Sequence, residues 1–141
     1  MSFYEEVGGR PTFARLVHEF YRGVAEDPGL RALYPEEDLG PAQDRLLGFL
    51  EQYWGGPTTY SEQRGHPRLR MRHHPYAVTP TQRDRWLTHM IGAVDLLRDD
   101  GTLDATHDLL LRDYLHRAAE SLVNAPDEPA APGGQGGHAT L

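Results

Sequence analysis

The sequence predicts an all-α domain, and three observations carry that reading. Apolar residues recur at three- and four-residue intervals in four separate stretches, the spacing that lines one face of a helix. Most of those stretches open at a helix-start signal: Pro11-Thr12, Pro41, Thr79-Pro80 and Asp104. No stretch alternates apolar and polar residues as a half-buried strand would, and no internal repeat is present.

The elements follow in order. A short first helix is expected from Phe3 to Val7, turned sharply by Gly8-Gly9. Phe13, Leu16, Val17, Phe20, Tyr21 and Val24 then mark an amphipathic helix over about 12–26. Asp27-Pro28-Gly29 ends it, and Leu30 to Tyr34 reads as one helical turn stopped by Pro35. From Pro41, the residues Leu46, Phe49, Leu50 and Tyr53 give the next apolar face, broken by Gly55-Gly56-Pro57. A polar loop follows, and a very short segment ending at His73-His74 is closed by Pro75. Thr79-Pro80 starts a long helix with Trp86, Leu87, Met90, Ile91, Val94 and Leu97, running to about Arg98. Asp99-Asp100-Gly101 turns the chain. Asp104 caps a last helix carrying Leu110, Leu111, Tyr114, Leu115, Ala118 and Leu122. Residues 1–125 are thus expected to form one domain. Residues 126–141, rich in Pro, Gly and Ala without periodicity, are expected to be a disordered tail.

Composition excludes several chemistries. A chain of 141 residues suits one domain with a real core. Its net charge of -7 disfavours a nucleic-acid partner, which needs a basic face. No apolar run approaches the roughly 18 residues of a membrane span, and Met1-Ser2-Phe3-Tyr4-Glu5-Glu6 lacks the features of a signal peptide, so a cytoplasmic setting is expected. There is no Cys, which rules out disulfides, iron–sulfur clusters and thioether-attached cofactors. There is also no Lys, since all 14 basic residues are Arg, so Schiff-base chemistry is excluded as well. Any cofactor must be held non-covalently.

Taken singly, the candidate residues have ordinary readings. A lone His73 is more often structural than functional. Tyr21 shares its helical stripe with Phe13, Phe20 and Val24 and reads as a half-buried core tyrosine. Around His73 the context is unusual, because Arg68, Arg70 and Arg72 lead into it, a cation density suited to a dianionic cofactor. The remaining histidines lie at no metal-ligand spacing.

The run Phe49 to Tyr60 with its Gly55-Gly56-Pro57 break, its continuation through His66 to His73, and Gly8-Gly9 upstream together resemble the truncated haemoglobins, most closely group II. The resemblance spans about residues 3–125 and implies a two-over-two helical sandwich around one non-covalent haem b. It implies that His73 is the axial iron ligand, with the adjacent His74 a departure from the family. It aligns Tyr21, Tyr34 and Trp86 with the polar aromatics of the distal pocket. Ala42 and Leu46 fall where other globins carry a distal histidine or glutamine, and neither side chain can donate. Arg45 and Arg72 become candidates for the haem propionates, with Tyr60 and His66 beside them.

The implied partners are dioxygen and other small diatomic or anionic ligands, with an unidentified electron donor; a homodimer is the assembly to test. A hydrogen bond to a charged group contributes about 1.5–3 kcal/mol, so each good donor slows ligand release by about ten- to a hundredfold. Several donors would make the protein too retentive for oxygen delivery. The expectation is therefore ligand binding coupled to redox detoxification of nitric oxide or peroxide. The alternatives are passive oxygen storage, transport or sensing, and a cofactor-free helical interaction module.

Overall fold

The computed structural model describes residues 1–127, and among these every regular element is helical. The chain order is α1 (Phe3–Glu6), α2 (Arg10–Ala25), α3 (Pro28–Arg31), α4 (Gly40–Tyr53), α5 (Thr59–Arg64), α6 (Leu69–His73), α7 (Pro80–Asp99) and α8 (Ala105–Leu122). The four long helices are those that the periodicity predicts. Their ends differ by one or two residues, since caps rather than apolar stripes set them. Thr79 and Gln82 form a reciprocal capping box on α7, and Asp104 Oδ1 accepts from His107 N at 2.9 Å to start α8.

Two short elements depart from expectation. The turn placed at Leu30 to Tyr34 begins earlier, at Pro28, because Asp27 caps it through Leu30 N at 3.2 Å. Tyr34 consequently lies just past α3. The polar loop after Pro57 contains α5, which has too few apolar residues for periodicity to reveal. It is held from outside: the Gln52 side chain donates to Ser61 Oγ at 2.7 Å and accepts from Ser61 N at 3.0 Å.

Helices α2 and α4 form one layer and α7 and α8 the other. The α2 stripe of Phe13, Leu16, Val17, Phe20, Tyr21 and Val24 is entirely buried, against Met90, Val94 and Leu97 of α7 and Leu47 and Leu50 of α4. Full burial of each such Leu, Val or Phe contributes about 1.5–3 kcal/mol. The layers approach closely at Gly23, where a Cβ would sit 2.4 Å from His89 Nδ1. At the far end of α4, Tyr53 stacks on Tyr114 of α8 with ring centroids 4.0 Å apart.

The Gly55-Gly56 break has two separate causes. Gly55 has φ +95°, which disfavours any side chain. Gly56 lies against the Tyr4 ring and the Glu51 carbonyl, which a Cβ would meet at 3.0 and 2.8 Å. Glu51, the one buried charged residue among those described, is satisfied there: Tyr4 Oη donates to it at 2.6 Å and Arg10 at 2.8 Å. Residues 126 and 127, placed in the expected tail, are described, and Asp127 Oδ1 accepts from Thr81 N at 3.1 Å. The rest of that segment, 128–141, lies outside the described residues.

Candidate functional site

A cavity of about 420 Å³ opens between the two layers, within the roughly 300–1,000 Å³ of small-molecule and cofactor sites. Its walls are mainly apolar, including Leu46, Phe49, Leu69, Val78, Leu115 and Leu122. Of the ten residues singled out from the sequence, nine line it: Tyr21, Tyr34, Ala42, Arg45, Leu46, Tyr60, Arg72, His73 and Trp86. His66 does not. It is exposed in the loop before α6, and its main-chain carbonyl accepts from Arg72 at 3.3 Å.

His73 ends α6 half-buried, and its Nδ1 donates to the Leu69 carbonyl at 2.8 Å. A carbonyl only accepts, so the proton of the neutral ring belongs on Nδ1, and it is Nε2 that carries the lone pair. Among the described residues Nε2 has no hydrogen-bond partner. His74 is exposed and does not reach the cavity. Successive helical positions point about 100° apart, so one of two adjacent histidines faces the cavity.

A second group comes from α2, the end of α3, and α7. Tyr21 and Tyr34 are buried edge to face with centroids 5.7 Å apart, and Phe20 bridges Tyr21 at 4.9 Å to Trp86 at 5.3 Å. The Tyr34 hydroxyl is buried near the Tyr21 hydroxyl yet makes no hydrogen bond of good geometry, an arrangement costing up to about 1–3 kcal/mol unless a ligand supplies one. Burial pushes the Tyr21 phenol up to about 12, and burial followed by the nearby Tyr21 raises Tyr34 well above the ordinary value. Both hydroxyls therefore stay protonated donors at neutral pH. Ala42 and Leu46 add only apolar surface.

The cations are less free than their sequence positions suggest. Arg45 Nη2 donates to Glu36 Oε1 at 2.9 Å, and that bond, more than any other influence, holds the Glu36 carboxyl below its usual range. Arg72 donates to the carbonyls of Pro67 at 2.6 Å and Arg64 at 2.7 Å, so it braces the loop entering α6. Its guanidinium lies over the Tyr60 ring, 5.8 Å from the centroid. Arg83, also at the cavity, is paired with Asp84 at 3.0 Å and with Glu120.

Sequence reasoning missed two supports. Arg31 gathers the loop beyond α3, donating to the carbonyls of Tyr34 at 3.1 Å, Glu36 at 2.7 Å and Glu37 at 2.9 Å. Asn124, beyond α8, donates to the carbonyls of His73 at 3.2 Å and Tyr76 at 2.9 Å and accepts from Val78 N at 2.8 Å. The only local signal for Asn124 was a polar residue just past a helix end.

Residues 2–120 match the family model described as bacterial-like globin. The fold is similar to a thermostable haemoglobin from the actinobacterium Thermobifida fusca, with 61% identity and a TM-score of 0.85, covering 90% of this chain and all of that one. It is similar to the group II truncated haemoglobin of Bacillus anthracis at 35% identity and TM-score 0.81, covering 90% and 99%. The truncated oxygen-avid haemoglobin from Bacillus subtilis matches at 35% identity and TM-score 0.79, covering 88% and all of that chain.

Proposed function

Since the chain belongs to the bacterial-like globin family, as a group II truncated haemoglobin, we propose that it binds dioxygen and related small ligands tightly and uses them in redox detoxification of nitric oxide or peroxide. Family membership implies haem and small-ligand binding at it. The residues around the cavity suit that group: an apolar slot for a flat ring, an unpartnered imidazole Nε2, and arginines for carboxylate substituents. The form proposed is non-covalent haem b, since no Cys is present to attach it.

When bound, haem iron supplies a site that takes a small ligand and exchanges single electrons. The chain's own residues do the rest. His73 would hold the iron through Nε2, its ring orientation set by the Leu69 carbonyl. Tyr21, Tyr34 and Trp86 bring donor-bearing side chains to the cavity wall, where they would serve a bound ligand, while Ala42 and Leu46 leave it without a distal histidine. Tyr60 and Arg72 would lie beside the haem carboxylates, Arg72 only through the donors that its bonds to the Pro67 and Arg64 carbonyls leave free. Arg45 reaches them only by sharing or leaving its bond to Glu36.

The observation that carries the retentive reading is the buried Tyr34 hydroxyl without a partner, beside two further donor-tipped aromatics. A ligand that gains negative charge relieves it, and each donor then slows release. The Bacillus subtilis relative is itself oxygen-avid, which agrees with this expectation. The test is dioxygen dissociation from the ferrous protein by stopped flow, followed by turnover of nitric oxide or peroxide. Slow release with turnover supports the proposal. Fast release without turnover returns the protein to storage, transport or sensing. A cytoplasmic setting and an electron donor are part of the same proposal.

A further inference from the structure

Between Gln63 and Arg83 the chain has five arginines and no Asp or Glu, while the other nine arginines stand against all 21 acidic residues. The protein is therefore strongly acidic except along one stretch, and that stretch contains α6. The cavity accounts for only part of it. Arg72 is spent on carbonyls, Arg83 is ion-paired, and Arg64 lies over Tyr60. Arg68 and Arg70 are exposed, do not line the cavity, and make no ion pair or side-chain hydrogen bond among the described residues. Between them and His73 lies Met71, an apolar side chain left 65% exposed.

We propose that Arg68, Arg70 and Met71 form the docking surface for an acidic one-electron donor protein, which delivers its electron at the α6 edge of the cavity. This rests on the haem reading above. The net charge of -7 repels an acidic partner from most directions, so the cationic stretch both attracts and orients it. Arg and Met are favoured contact residues, and a small patch matches the limited area of transient redox encounters. A membrane fits less well, because interfacial helices need a long apolar face and α6 has five residues with one exposed apolar side chain. In the step itself one electron leaves the donor's reduced flavin or iron–sulfur centre, which is oxidised by one unit, and reduces ferric iron to ferrous. No bond forms or breaks and no proton is required.

The probe is reduced plant-type [2Fe–2S] ferredoxin, mixed with haem-loaded protein at low ionic strength. The wild-type reduction rate should fall as salt shortens the Debye length below about 10 Å. R68E/R70E should slow it at least tenfold, with R68Q/R70Q intermediate, while reduction by the small neutral reductant photoreduced deazaflavin stays unchanged. Arg68 has φ +42°, so R70E alone, on regular helix, keeps the test decisive if the turn is disturbed. Calorimetric affinity for oxidised ferredoxin should fall in parallel in loaded and haem-free protein. A chain that takes up no haem defeats the functional reading, yet this affinity comparison still decides the docking. Normal loading with ferredoxin rate and affinity indifferent to these substitutions overturns the proposal. So does a loss confined to binding of phosphatidylserine vesicles.

Discussion

The side-chain amide of Asn124 donates to the main-chain oxygen of His73 at 3.2 Å, across 51 residues of sequence. Its other bonds, to the Tyr76 carbonyl and from Val78 N, join the end of α8 to the segment that bears the imidazole, alongside the main-chain bonds from Asn124 N and Ala125 N to the Val78 carbonyl. Asn124→Ala should therefore lower stability by about 1 kcal/mol, chiefly because Val78 N, buried in the fold, loses its acceptor. It should also speed haem loss. Thermal denaturation and haem transfer to an acceptor globin measure the two effects, and an unchanged transfer rate would show that α6 is held by other contacts.

The adjacent histidines should behave very differently. His73→Ala removes the imidazole whose Nε2 is free in the cavity, and haem retention should drop sharply. His74→Ala alters an exposed side chain and should leave the ferrous spectrum normal. The iron–nitrogen stretching band in resonance Raman spectra distinguishes them; its survival in the His73 variant and loss in the His74 variant would reverse the assignment.

Trp86→Phe keeps most of the apolar volume against Phe20 while removing the indole donor. Dioxygen dissociation should accelerate at least about tenfold, equivalent to roughly 1.4 kcal/mol, and ferric anion binding should weaken. Carbon monoxide develops less charge, so its dissociation should change less. Equal factors for the two gases would make Trp86 a packing residue.

The buried phenols predict an alkaline weakness. An unfolded tyrosine ionises near pH 10, whereas Tyr21 in the fold is pushed up to about 12 by burial. Above pH 10 the unfolded chain releases a proton that the folded one keeps, so this contribution to stability is full below pH 10 and declines through pH 12. Two units on so buried a group correspond to ~2–3 kcal/mol. Tyr21→Phe should flatten the fall in denaturant midpoint across that range, and a variant with the wild-type slope would locate the alkaline sensitivity in other tyrosines.

Removing residues 128–141 should alter neither haem content nor melting temperature, because that segment has no apolar periodicity with which to bury surface. The cut is placed after Asp127 to keep its bond to Thr81 N. A fall of several degrees would show that the segment docks on the domain.

The four long helices and their caps were legible in the sequence because they depend on local periodicity and on side chains that cap their own helix; the candidate set around His73 came instead from the resemblance to truncated haemoglobins. The stripe of α2 and the Thr79 cap need no partner to be recognised. What Arg45, Arg72 and His66 do was not legible in this way. Each is a polar residue near the cavity in sequence, yet Glu36 engages Arg45, the loop carbonyls engage Arg72, and His66 stays in solvent. Likewise only packing leaves the Tyr34 hydroxyl without a partner and brings Asn124 to His73. Periodicity reports which face of a helix is buried. Which donor meets which acceptor depends on how separate helices are brought together, and a single stretch of sequence does not encode that.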